Sequence, residues 1–327
     1  VPMVRTEYDQ AGRVVGTYDV LGNPVTQTYD LANNTEIVAD RLGNETTLTF
    51  DVRGNIVSET NALGHTVAYQ YDARDNLVAV VNARGYETRF RYDPRGNVTG
   101  STDALGNEYS ATYNQFDQIA TATDPFGHTA VYHYDANGNL IEVVNAAGNR
   151  SFLGRDAQGR IASATDNRGN TTTFAYGASS LPNVATNPDG STRQFQYNPF
   201  GLVTRYVNET GEATAFQYDA SGRVLSAADP AGAVTQFAYD ASQLLSVTDA
   251  LGRVQRFEHD AANRPIRTID PAGNVTQFAY DANDRRTAVT DPLGRTTRVQ
   301  YDAAGRIVSR TEGLPAAGLV AVQLPPG

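Results

Sequence analysis

The sequence predicts an all-β protein: a long antiparallel meander of tandem 21-residue β-hairpin repeats, curling into a spiral strip or hollow cocoon wall. Three observations carry this. An anchor residue, first Tyr8, then Tyr29, Phe50, Tyr71 and so on to Tyr301, recurs every 21 residues, with one interval of 20 between Tyr239 and His259. Each unit contains two turn signals ten or eleven residues apart, and the residues between them alternate in polarity. Composition agrees, because 29 Gly outnumber 14 Pro and Thr, Asn, Asp and Tyr recur while Leu is sparse. No segment of useful length has helical periodicity.

With the anchor at position 0, the unit reads Y-D-x-x-G-[NR]-[VIL]-x-x-x-[TV]-[DN]-x-x-G-x-x-T-x-F-x. The first turn has Gly at position 4 in eight units and Asn or Asp in five more: Asn33, Asp75, Asp117, Asn263 and Asp284. Asn and Asp tolerate a left-handed backbone best among the non-glycine residues, so this position requires φ > 0. Strand A follows, with an aliphatic residue at position 6 (Ile56, Leu77, Val98, Ile119), often a small one at position 8, and Thr or Val at position 10. That spacing predicts an apolar side formed by alternate residues.

The second turn is stricter. Position 11 is Asp or Asn and position 14 is Gly in all fourteen units that contain them, from Asp19 and Gly22 to Asp291 and Gly294. Such a segment predicts a type I turn closed by a glycine bulge, whose leading side chain accepts hydrogen bonds from the turn's own amides. Strand B completes the unit. Thr88-Phe90-Tyr92 and Thr276-Phe278-Tyr280 alternate with polar residues such as Glu87-Arg89-Arg91, which predicts one aromatic face and one polar face. Strands of about six or seven residues make a ribbon roughly 20 Å tall, and about thirty of them extend ~140 Å along the sheet. A sheet that long is expected to curl.

Composition excludes several chemistries. Cys, Trp and Lys are absent, so all 26 cations are Arg, and disulfides, thiol nucleophiles, zinc–thiolate sites and Schiff-base lysines are ruled out. A net charge of −10 and a pI near 4.9 argue against nucleic acid as a partner. The chain has no run of 18 apolar residues and no signal-peptide pattern in VPMVRTEYDQ, so no direct membrane span is expected. Export would be directed by another part of a longer chain.

The candidate sites reduce to turn chemistry. Asp135, Asn137 and Asn139 resemble the first half of a calcium loop, but Gly138 falls at the fourth place instead of the sixth, and Ala146 stands where the bidentate Glu belongs. The pairs Asp93/Asp103 and Asp281/Asp291 suggest acid–base work, yet each pair spans opposite edges of the ribbon, roughly 20 Å apart. His65, His128, His133 and His259 lack ligand spacing. Sequons at Asn44, Asn97, Asn149, Asn170, Asn208 and Asn274 follow from the repeat itself. The aromatic ladder is read first as cross-strand packing, and secondarily as a wall for apolar cargo or a surface that stacks on sugars. Arg155, His259 and the units at Tyr176 and Tyr239 break the pattern, and are expected where the ribbon bends or meets another layer.

The Y-D-x-x-G-[NR]-[VIL] opening resembles the YD repeat of the Rhs family of bacterial polymorphic-toxin shells, related to insecticidal toxin-complex shells and to teneurins. The resemblance covers residues from about 4 to 312. It implies a shell segment that encapsulates a toxin or effector domain until delivery, without catalysis, cofactor or metal in the repeats. The partners it implies are an encapsulated C-terminal toxin domain or flanking shell segments of the same longer protein, with a secretion-system or delivery partner, and the localisation it implies is secreted. The family's C-terminal core, with its aspartyl self-cleavage site, has no counterpart in "LPAAGLVAVQLPPG". The expected organisation is one array over 1–312 that begins mid-repeat, with Val4 and Thr6 in strand B, followed by a non-repeat tail at 313–327. A surface adhesin or carbohydrate-binding repeat module is the alternative.

Overall fold

The structure, a computed structural model, describes residues 5–240 and 242–313 and the backbone of 319–323. The chain is all-β: 31 strands succeed one another, with no helix among the described residues, in an antiparallel meander of hairpins. It divides into two compact units. The first comprises Val1–Gln70, Val81–Gly85 and Gln236–Gly327, and the second Tyr71–Val80 and Tyr86–Thr235.

The second unit shows the repeat at its most regular. Strand B at Glu87–Tyr92 pairs with strand A at Val98–Thr102, which pairs with the next strand B at Glu108–Tyr113. Strand B has six residues and strand A five, a little shorter than the spacing predicts, because a bulge consumes part of strand A. In the register Tyr92 opposes Val98 while Arg91 opposes Gly100, so Thr99 has no partner.

That bulge corrects the expected pattern of strand A. Directly opposed residues share a face, so Val98 joins Tyr92, Ser101 joins Phe90, and Gly100 and Thr102 join Arg91 and Arg89. Positions 6, 8 and 10 therefore do not form one apolar side. Position 6 faces with the aromatics, the extra residue reverses the alternation, and position 9 takes the aromatic face instead. Position 9 is Val80, Ser101, Ala122, Val143, Ala164 and Ala185 in successive units, small or aliphatic in each and apolar in all but one. Position 8 is small for a different reason: the Arg91 guanidinium lies over Gly100, where a methyl group would come within 2.6 Å of it.

The first unit contains a variant hairpin. Strands Pro24–Asp30 and Thr35–Ala39 pair from Asp30–Thr35 through Thr26–Ala39 with no shift in register. Its positive φ falls on Asn34 (51°), not on Asn33, correcting the assignment from the repeat position. The residue that bulges elsewhere has moved into the loop. At the other end of this unit Ile307–Gly313 pairs with Leu319–Gln323, within the segment read as a non-repeat tail. Val4 of the opening strand lies outside the described residues, and the strand runs from Arg5 to Tyr8.

Neither unit has an ordinary core. Ala79 and Ala185 are the buried hydrophobic residues among those described, and none of the described side chains is fully buried. Burial is instead one-sided, as in Glu87–Tyr92, where Thr88, Phe90 and Tyr92 are half-buried and Arg89 and Arg91 exposed. Cohesion comes from ladder hydrogen bonds and cross-strand pairs. The two rows of turns along the ribbon's edges supply the rest.

Candidate functional site

The edges are built from one device used many times. In the turn at Asp124–Gly127 the Gly127 amide donates to the Asp124 carbonyl at 3.0 Å and the Asp124 amide to the His128 carbonyl at 3.0 Å, with Gly127 at φ 82°. Oδ1 of Asp124 accepts from the amides of Phe126 and His128, both at 2.9 Å. All fourteen second-turn glycines have positive φ, and Asp75, Asp117, Asn263 and Asp284 take the same conformation in first turns. The leading carboxylates of turns such as those at Asp9, Asp51 and Asp124 are correspondingly acidic. The amide of Asn55, with further hydrogen bonds from Asn55 and Arg53 opposing a desolvation penalty, lowers Asp51 to about 2.

The first-turn edge carries a second device that the repeat signalled and the packing interpretation missed. Nine of the anchor tyrosines reach across the sheet to the position-6 carbonyl fifteen residues earlier, among them Tyr29 to Val14 at 2.9 Å, Tyr92 to Leu77 at 2.7 Å, Tyr134 to Ile119 at 2.8 Å and Tyr218 to Val203 at 2.7 Å. Desolvation raises the pKa of Tyr29, Tyr92 and Tyr134, which keeps these hydroxyls protonated as donors. Twelve of fifteen anchors are Tyr, whereas position 19 favours Phe, and that contrast was the available signal for a working hydroxyl. Where Arg155 replaces Tyr, its Nη2 donates to the carbonyl of Leu140 at 3.4 Å, the same relative position.

Position 5 joins this network. Arg160 donates to Oδ2 of Asp156 at 2.7 Å, places its Cζ 4.0 Å from the Tyr176 ring centroid, and donates through Nη1 to the Ser179 carbonyl at 3.1 Å. Arg13, Arg264 and Arg285 stack on Tyr29, Tyr280 and Tyr301 in the same way. Asn at position 5 caps the aspartate but makes no stack, as Asn139 does for Asp135 at 2.9 Å. The stack on the next anchor ring thus comes with Arg, whereas a link to the next turn is open to amides as well, as Asn97 makes to Asp117 at 2.8 Å and Gln118 to the Gly138 carbonyl at 2.7 Å.

Within the first unit the two kinds of edge meet. Arg41, in the second turn Asp40–Gly43, donates from Nη1 to Oδ2 of Asp284 at 2.5 Å and to the Ala282 carbonyl at 3.3 Å, and its Nε lies 3.5 Å from Oδ2 of Asp19. Asn283 donates to Oδ2 of Asp40 at 2.7 Å. Arg264 approaches Asp284 from the preceding first turn at 2.8 Å. Burial pushes the Asp40 carboxyl up, but hydrogen bonds from Asn44 and Asn283 outweigh it and hold the group below its ordinary range. A cavity of about 400 Å³ lies along this seam, lined by Asp40, Asn61 and Ala62 on one side and by Asn283, Ala303 and Gly305 on the other.

The other residues singled out by sequence stay within local chemistry. Asp135 accepts from the amides of Asn137 and Asn139 at 2.9 and 2.8 Å, so its oxygens close a turn. Asp93 and Asp103 cap turns at opposite ends of strand Val98–Thr102. His128 pairs with Asp124 at 2.9 Å, and His133 lies 3.9 Å from Glu142 on the polar face. No cluster of three His, Asp or Glu side chains with metal-holding geometry occurs among the described residues.

The teneurin YD-shell family matches residues 23–187 and 127–257, and the RHS repeat family matches residues 259–294 and 280–317. No curated protein matches the chain. Among solved structures, the crystal structure of TcdB2-TccC3-TEV is similar at a TM-score of 0.66 and 13% identity, over 96% of this chain and 22% of that one. The Tc holotoxin pore of Photorhabdus luminescens is similar at a TM-score of 0.64 and 13% identity, over 98% of this chain and 22% of that one. At that identity the likeness is one of fold, and the chain spans 22% of the length of these structures.

Proposed function

Because the chain belongs to the teneurin YD-shell family, we propose that it is a wall segment of a secreted shell that encloses a toxin or effector domain until delivery. The reading takes the array at 1–312 as structural throughout, with no catalytic, cofactor or metal site and with function residing in what the wall surrounds. The observation that carries it is one-sided burial. A row of half-buried aromatic and aliphatic side chains covers one face of the sheet, while buried hydrophobic residues are confined to Ala79 and Ala185 among those described. A sheet of this kind serves as a boundary between two environments, and its continuous backbone ladder leaves few strand ends to be prised apart. Fold similarity to toxin-complex proteins supports the same role.

The test uses the full-length protein that carries this segment. Limited proteolysis should leave an enclosed domain intact until the shell is opened by denaturant, and electron cryomicroscopy should show a lumen containing extra density. A particle without a lumen, or a cargo domain digested at the same rate in the intact and the opened protein, would overturn the proposal. On a glycan array the segment should show no saturable binding.

A further inference from the structure

In the first compact unit the aromatic face carries arginine at two places where the repeat elsewhere is apolar. Arg286 stands at position 6, where Ile56, Leu77 and Val98 stand in other units, and Arg310 at position 9, where Val143, Ala164 and Ala185 stand. Directly opposed residues share a face, and Arg286 opposes Tyr280 while Arg310 opposes Val299. Both arginines line one cavity of about 610 Å³, together with Tyr280, Val289, Val299 and Tyr301. Neither cation is neutralised by a buried acid. Arg286 is exposed, places its Cζ 5.8 Å from the Phe278 ring centroid and has no acidic partner among the described residues, and the remaining residues contain no Asp or Glu. Arg310 pairs with Glu312 at 2.9 Å, but both side chains are more than half exposed, so the pair is weak and easily exchanged. Asp284, at the rim, is already held by Arg41 and Arg264.

The tyrosine hydroxyls add no donors to this cavity, since Tyr280 donates to the Pro265 carbonyl at 2.9 Å and Tyr301 to that of Arg286 at 3.0 Å. The two guanidiniums are its charged donors, and the surface between them is aromatic and aliphatic. We infer that the cavity binds an extended acidic peptide in which an apolar side chain stands between two carboxylates. A guanidinium meets a carboxylate with two parallel N–H donors, and the rings and valines between the arginines accept the apolar side chain. The spacing suits a peptide. Arg286 and Arg310 lie two strands apart, ~10 Å, on either side of strand Thr296–Tyr301, which carries Val299. In an extended chain residues i, i+2 and i+4 point to one side at intervals of ~7 Å. A Glu-x-Phe-x-Glu segment therefore sets its ring over Val299 and one carboxylate toward each arginine, with the long side chains taking up the difference. A cavity of this volume is of ordinary size for a ligand site. The inference requires only that this face be accessible, and it does not depend on the enclosing role.

Isothermal titration calorimetry of the purified chain with an end-capped Glu-Ser-Phe-Ser-Glu peptide should show saturable binding that weakens as salt rises. Arg286→Ile and Arg310→Ala each install a residue type found at that repeat position in other units. The R286I/R310A variant should therefore keep its circular dichroism spectrum while binding the peptide at least about tenfold more weakly, the loss expected for two charge-assisted contacts. A comparison on the unaltered chain needs no variant to fold: the Gln-Ser-Phe-Ser-Gln peptide should bind at least about tenfold more weakly than the acidic one. Phenylacetate, which has a ring and a carboxylate without the spacing, should also bind more weakly. No saturable binding, binding insensitive to salt, equal binding of the glutamine peptide or of phenylacetate, or undiminished binding by folded R286I/R310A would each overturn the inference.

Discussion

A tyrosine hydroxyl 2.7 Å from a carbonyl fifteen residues upstream turns an aromatic ladder into a hydrogen-bonded one. Tyr92 packs its ring on the same face as Phe90 and Val98 and delivers its hydroxyl to Leu77, so ring and hydroxyl do separate jobs. Replacing it with Phe keeps the ring and removes only the donor. Because the edge is half exposed, water can reach the vacated carbonyl, and the cost of Tyr92→Phe should stay near ~1 kcal/mol, the ordinary net value of one such bond. Urea unfolding of the variant measures it, and a loss indistinguishable from zero would return the tyrosines to a purely packing role. Phe50 is the natural precedent for an anchor without a hydroxyl, while Arg155 makes the same contact with a guanidinium.

At the scale of the hairpin, the turns were legible and strand A was not. Glycine at Gly22 and its thirteen successors, each three residues after Asp or Asn, marks a place where the chain takes a conformation other residues disfavour, and the structure places every one at positive φ. Strand A has no comparably diagnostic residue, and a bulge leaves no mark in a pattern that is only aliphatic at position 6 and small at position 8. Its position depends on the closeness of Tyr92 to Val98, a cross-strand relation that a linear sequence does not display. The hairpin at 30–34 shows the same limit, since moving a single residue from strand to loop transfers the positive φ from Asn33 to Asn34. The seam was equally hidden, because Arg41 and Asp284 lie 243 residues apart and nothing in the repeat couples position 12 of one unit to position 4 of another.

The turns also fix the response to acid. Amide hydrogen bonds lower the pKa of Asp9, Asp51 and Asp93 in the folded state, and the side chain of Asn139 does the same for Asp135. A depressed folded pKa contributes stability that is complete above the unfolded value near ~3.9 and disappears as pH falls through the folded value, about 2 for Asp51. The melting temperature should therefore be nearly flat from pH 8 to pH 5 as far as these groups are concerned, and should fall progressively between pH 4 and pH 2. Calorimetry across that range checks it, and a melting temperature unchanged at pH 2 would mean that the turn carboxylates contribute nothing.

Across the whole molecule, a repeat array is quasi-one-dimensional: each hairpin touches its neighbours, and stability is a sum of local terms. The seam is a departure from that rule. Closing a loop of some 240 residues costs entropy that grows only slowly with length, so a few edge contacts are enough to couple distant repeats. Arg41 and Asp284 are partly exposed, at 26% and 45%, which limits their pair to ~0.2–1 kcal/mol and makes it sensitive to salt. Its removal should nevertheless have a non-local signature. In Arg41→Gln, amide hydrogen exchange should accelerate both at 40–44 and at 281–285, while the turn at 124–128, which has no such partner, keeps its wild-type rate. High salt should reproduce the same pair of changes in the unaltered chain. Acceleration confined to 40–44 would show that the two edges touch without supporting each other, and the first unit would then behave as two independent stretches of ribbon.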